Sequence, residues 1–119
     1  MRTRTKRPVA LVRALLWLSP LLLPGALTGC NSTTAYTANR IGLAHYRKGN
    51  VAAAREEFRR AAIDAPRNAD YRHNLAMALK RQGDVVNAEQ TYRQALELNP
   101  THQPSYHGLA SLMNEQARQ

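Results

Sequence analysis

The sequence predicts an all-α fold, a short solenoid of stacked helical hairpins, on two observations. Residues recur at an offset of 34 through the last three quarters of the 119-residue chain, and each recurring stretch places a Gly between two helical patterns and a Pro after the second. The repeats amount to two full helix-turn-helix units, residues 35–68 and 69–102, and a C-terminal capping helix within 103–119. A single cysteine, Cys30, excludes an internal disulfide, so the fold must rest on packing alone.

The first thirty residues follow another plan. Met1 to Arg13 is a basic leader, with Arg2, Arg4, Lys6, Arg7 and Arg13 and no acidic residue. Ala14 to Leu27 is apolar but shorter than the roughly 20 residues a membrane span needs. Pro20 and Pro24 interrupt it, each removing a helical hydrogen bond. Leader and core in this order read as a secretory signal, residues 1–29. The run Leu27, Thr28, Gly29, Cys30 resembles the lipobox of bacterial lipoproteins. That resemblance implies cleavage before Cys30, a diacylglyceryl thioether on its sulfur and an acyl chain on its freed amine, with no other cofactor. Several chains suit stable membrane anchoring, since one acyl chain holds only marginally. The alternative for Cys30 is a small buried apolar residue at a domain start. By the same resemblance, Asn31 after the cysteine favours the outer membrane, facing the periplasm. Residues 30–34 are expected to be a lipidated polar tether.

Each position of the first full unit has its counterpart in the second. Ile41, Leu75 and Leu109 give the first helix of each unit an apolar face, and small Gly42, Ala76 and Ala110 beside them let the second helix approach. Gly49 and Gly83 suit the left-handed residue that ends a helix. Asn50 and Asp84 follow as caps for the second helix, where a side-chain oxygen accepts from free amides. Ala54 and Ala88 again permit close approach, while Phe58 and Tyr92 fill the space between helices with a ring. Pro66 and Pro100 stop the second helix, and Asn68 and Thr101 are expected to cap the next. Tyr106, Leu109, Ala110 and Met113 continue the register in the third unit, where only the first helix is expected.

This pattern resembles the tetratricopeptide repeat family over residues 35–119, although Ala38 and Arg72 stand where members often carry Trp. The resemblance implies a concave face, lined by the first helix of each unit, that receives extended or helical peptides. Carried over by repeat position, the residues facing a partner are Tyr36, Asn39, Arg40, Leu43, Tyr46 and Arg47, then Asp70, His73, Asn74, Met77, Lys80 and Arg81. The third unit offers Pro104, His107, Gly108, Ser111, Asn114 and Glu115, a poorer set. Arg40, Arg47, Lys80 and Arg81 would make one end basic, with Leu43 and Met77 as an apolar floor. The alternative is that these are ordinary exposed helix residues and a partner docks elsewhere. A first helix without a preceding unit leaves Tyr36 and Tyr46 partly uncovered, inviting weak self-association.

Charge and motifs narrow the function. Past Cys30, 12 basic residues face 8 acidic ones, interleaved along helices, which is not the dense basic face that nucleic acid requires. His45, His73, His102 and His107 never fall three or four residues apart, the spacing of a helical zinc pair. No phosphate loop, nucleophile elbow or metalloprotease motif occurs, so no enzyme is expected. Glu56, Glu57, Asp64, Asp70, Glu89, Glu97 and Glu115 read as solvated helix faces, with Glu56 and Arg60 able to pair. Lipobox plus repeats is similar in plan to the lipoproteins of Tad and type IV pilus assembly. The expectation is a membrane-anchored adaptor that binds a protein in envelope assembly, such as pilus or secretion-system biogenesis. The alternative is a structural accessory that tethers a cell-wall enzyme or envelope complex.

Overall fold

The computed structural model describes residues 31–119; Cys30 and the expected signal lie outside the described residues. Five helices follow one another: α1 (Asn31–Arg47), α2 (Val51–Asp64), α3 (Ala69–Arg81), α4 (Val85–Leu98) and α5 (Gln103–Ala117). They make two hairpins and a half, α1 with α2, α3 with α4, then α5, as the offset of 34 predicts.

The hairpin turns are set by glycine. Gly49 and Gly83 have φ of 83° and 82°, a region that a Cβ disfavours. In each turn two bonds close a Schellman motif: Gly49 and Asn50 donate to the carbonyls of Tyr46 and His45, and Gly83 and Asp84 to those of Lys80 and Leu79. Between hairpins the chain ends α2 at Asp64 and α4 at Leu98, just ahead of Pro66 and Pro100.

The expected caps divide. Asn68 accepts from the Tyr71 amide at 3.2 Å, and Asp84 from the Asn87 amide at 3.4 Å. Asn50 precedes α2 but its side chain makes no cap bond. Thr101 does not cap α5; its hydroxyl donates to Asn99 Oδ1 at 2.9 Å, and His102 takes the cap position with its ring turned inward. Ser32 to Thr34, expected as a tether, instead form the first turns of α1, where Thr37 Oγ1 donates to the Thr33 carbonyl at 2.9 Å. Asn31 to Thr34 are weak helix formers but include no Gly or Pro to break the run, so the helix continues back from Ala35 to Asn31.

Two rings occupy the core. Phe58 packs with Ala54 and Ala78, bordered by Leu43, Tyr46, Val51 and Leu75. Tyr92 packs with Ala76, Leu79, Ala88 and Leu112. Both rings are essentially unexposed, and most of their buried neighbours are alanines, which lets helix backbones close onto them. The small residues of the first helices behave unequally. A Cβ on Gly42 would lie 2.7 Å from the Phe58 ring, so α1 and α2 touch there. Ala76 is equally buried against α4, whereas Ala110 is exposed, because no described helix follows α5. Ile41 is 42% exposed for a similar reason: α2 covers the Gly42 side of α1 and leaves the other flank open.

Candidate partner-binding groove

The first helix of each hairpin faces the inner side of the array, and between α3 and α5 these helices leave a groove of about 570 Å³. It is lined by His73, Met77, Lys80 and Arg81 of α3, Tyr92 of α4, Tyr46 of α1, and Pro104, His107, Gly108, Ser111 and Glu115 of α5. Of the residues expected to face a partner from the first two units, five, Tyr46, His73, Met77, Lys80 and Arg81, line it. The third unit, expected to be the poorer contributor, supplies nearly half the lining.

The groove is displaced from α1 for a physical reason. Asn74 Nδ2 donates to Asn39 Oδ1 at 2.8 Å, and Leu43 packs into the Phe58 cluster, so these side chains are engaged within the protein and not in the groove. Asn74 thus spends one amide hydrogen inside the protein. On the other side α5 presents Gly108, against which the Tyr92 ring packs, and Ser111, both of which line the groove. Tyr36 and Arg40 pair with each other outside the groove, the guanidinium 5.9 Å from the ring centroid. Arg47 is exposed and also outside the lining.

The expected basic end is less basic than its composition suggests. Lys80 Nζ lies 2.8 Å from Glu115 Oε1 and donates to Ser111 Oγ at 2.8 Å, clasping α3 to α5. The Lys80 hydrogen bond holds the Glu115 carboxyl below the usual carboxylate range. Arg81 remains a cation without a carboxylate partner among the described residues. Its guanidinium stacks 4.9 Å from the Tyr46 ring centroid and donates to the Tyr46 carbonyl at 3.2 Å, which fixes its orientation. Burial pushes the Tyr92 phenol up to about 12, so the groove floor stays uncharged. On the outer face Glu56 pairs with Arg59 at 3.0 Å rather than with Arg60, which instead reaches Glu57 at 3.2 Å.

Beneath the groove lies a polar chain that sequence reading missed. His102 Nε2 sits 2.9 Å from Asp70 Oδ1, His102 Nδ1 2.8 Å from Ser105 Oγ, and Ser105 Oγ 3.3 Å from His73 Nδ1. Asp70, read as a solvated carboxylate, is exposed but accepts from a buried imidazole. Asp, His and Ser in this order resemble a hydrolytic triad, yet Ser105 is 0% exposed and its oxygen lies between two imidazoles, out of reach of a substrate. The signal was present as two pairs three apart, Asp70 with His73 and His102 with Ser105, offset by 32. Among the described residues no group of His, Cys, Asp or Glu is arranged to hold a metal, and no helix is long and apolar enough to cross a membrane.

A solenoid of helical hairpins with an inner groove defines a class of repeat proteins that bind other proteins. The chain belongs to the tetratricopeptide repeat family, whose model matches residues 39–102. Its fold is similar to the Arabidopsis OM64 TPR domain, with a TM-score of 0.70 and 22% identity over 74% of this chain and 73% of that one. It is equally similar to the first TPR of Spaghetti (RPAP3) bound to the HSP90 peptide SRMEEVD, with a TM-score of 0.70 and 20% identity over 73% and 71%. No curated protein matches the chain in sequence. The family consists generally of non-catalytic interaction modules, and protein binding is the function it suggests here.

Proposed function

We propose that this protein is a lipid-anchored adaptor of the bacterial envelope that holds a peptide segment of a partner in the groove between α3 and α5. The observation that carries the reading is the groove itself, with an apolar floor at Met77 and Tyr92 beside an oriented Arg81. That a domain of the same fold holds the acidic peptide SRMEEVD supports a segment bearing a carboxylate as occupant. Anchoring is read from the basic leader, the apolar core and the Leu27 to Cys30 run, with Asn31 favouring the outer membrane; the plan of lipobox plus repeats supports a role in pilus or secretion-system assembly. Cross-linking in envelope preparations, with a photoreactive residue in place of Met77, tests the groove. Adducts lost on charge reversal of Arg81 support it, and adducts only from an outer-face position such as Arg93 overturn it. Mass spectrometry of the mature N-terminus tests the anchor: a lipidated Cys30 is expected, and intact Met1 to Gly29 would refute it.

A further inference from the structure

The chain of Asp70, His102, Ser105 and His73 has one consistent arrangement of hydrogens when both rings are neutral. The Asp70 carboxylate only accepts, so His102 carries its hydrogen on Nε2 and leaves Nδ1 as an acceptor. Ser105 must then donate its hydroxyl hydrogen to His102 Nδ1, 2.8 Å away. The Ser105 oxygen keeps only lone pairs toward His73, so His73 Nδ1 must carry the hydrogen. With its hydrogen on Nδ1, the His73 ring leaves Nε2, which has no partner among the described residues, as a lone-pair acceptor on a side chain that lines the groove.

We propose that this relay makes His73 the specificity-determining residue of the groove: a hydrogen-bond acceptor at neutral pH, converted to a donor when one proton enters the pair of histidines. The occupant it fits at neutral pH is a segment that places an N–H or O–H there, such as a peptide backbone amide. Acid can convert His73 by two routes. A proton on His73 Nε2 leaves the chain unchanged. A proton on His102 Nδ1 reverses it, since Ser105 then accepts from His102, donates to His73 Nδ1 and drives the His73 hydrogen to Nε2. Both rings cannot be charged with the chain intact, because Ser105 would face two donors and its own hydrogen would lose its acceptor. The rings lie 5.5 Å apart between centroids, so two charges would also repel.

The groups facing His73 are Asp70 from its own helix, Tyr92 from α4 and His102 with Ser105 at the start of α5. The groove is also lined by Tyr46, Lys80, Arg81, His107 and Glu115. Burial first, and His102 second, lower the His73 pKa, with Asp70 opposing, so neutrality at pH 7 to 8 accords with the chain drawn here. Ser105 and His102 are positioning residues in this scheme, acting on the groove only through His73.

The tautomers can be read on the protein alone, without any partner, so failure here is distinct from failure of the proposed function. Long-range proton–nitrogen spectra of the full chain with labelled histidine, assigned by His73→Gln and His102→Gln, should show at pH 8 His73 protonated on Nδ1 and His102 on Nε2. On acidification of the folded protein one of the two should gain a proton and the other stay neutral. Asp70→Ala removes the acceptor that fixes His102, and the Nδ1–H population of His73 should fall from dominant to a mixture. His73 protonated on Nε2 at pH 8 would overturn the proposal. So would both rings becoming fully protonated while the protein remains folded, or a His73 tautomer indifferent to Asp70→Ala.

Discussion

Gly42 and Gly108 hold two rings in place from opposite directions. A Cβ on Gly42 would stand 2.7 Å from the Phe58 ring within its own hairpin, and one on Gly108 would stand 2.5 Å from the Tyr92 ring of the preceding hairpin. Both rings are essentially unexposed, so neither can yield freely to an added Cβ. Gly42→Ala and Gly108→Ala are each expected to cost about 1–3 kcal/mol by overpacking, read as a lower urea midpoint. Gly42 was legible, since Ala76 and Ala110 recur at its place; Gly108 was not, since Arg40 and Asn74 stand there and its contact is with another unit. His73 carries a second expectation at this scale. Its folded pKa lies below the unfolded 6.5, chiefly through burial. Above that value the ring is neutral in both states, and its contribution to stability is constant. As pH falls through 6.5 the unfolded chain takes the proton first, so stability drops until the folded ring is also protonated. Urea midpoints at pH 8 and pH 5.5 should differ less in His73→Gln than in the parent. An equal difference would show that the ring is not held neutral by its surroundings.

The helices themselves were readable because turn chemistry and apolar period agree in both hairpins. Gly49 and Gly83 adopt the conformation their residue type suggests, and Pro66 and Pro100 sit just past the helices they end. Capping was less readable, because residue type shows which side chains can accept and not which of them face the amides. Asn68 bonds the Tyr71 amide, whereas Asn50, of the same type before α2, bonds none. Asn68→Ala should therefore cost about 1 kcal/mol, the usual worth of an N-cap, and Asn50→Ala clearly less. Thermal melts of the two variants check this, and equal losses would show that the Asn50 side chain caps α2 in solution. At the start of α5 the cap position falls to His102, whose ring is committed to Asp70 and Ser105. A pattern search for Ser, Thr, Asp or Asn passes over such a residue, and the polar chain beneath the groove passes unseen with it.

At the scale of the whole molecule, stacking the hairpins sets the site, and stacking depends on contacts between units that no single repeat contains. His73, Met77, Lys80 and Arg81, grouped by repeat position, line one groove, since residues 34 apart recur on one side of a regular array. Repeat position could not foresee that Asn39 and Asn74 would bond each other, or that Gly108 and Ser111 would line the groove beside Met77. Nor could it foresee the clasp of Lys80 by Glu115, which leaves Arg81 as the oriented cation of the groove. Exposed charges act mainly on encounter rate and its salt dependence, while apolar contacts govern how long a complex lasts. Charge reversal at Arg47 and Arg81 together should slow association of an acidic partner segment about tenfold at low salt and flatten its salt dependence. Met77→Ala should speed dissociation and leave association nearly unchanged. Glu115→Gln releases Lys80 and removes a negative charge beside it, and should speed association. Arg59 and Arg93 provide the control, since both lie on second helices and pair with Glu56 and Glu89 on the outer face. Reversing their charge should leave both rates unchanged in a stopped-flow measurement. If that pair altered association while Arg47 and Arg81 did not, the partner would be docking on the convex side.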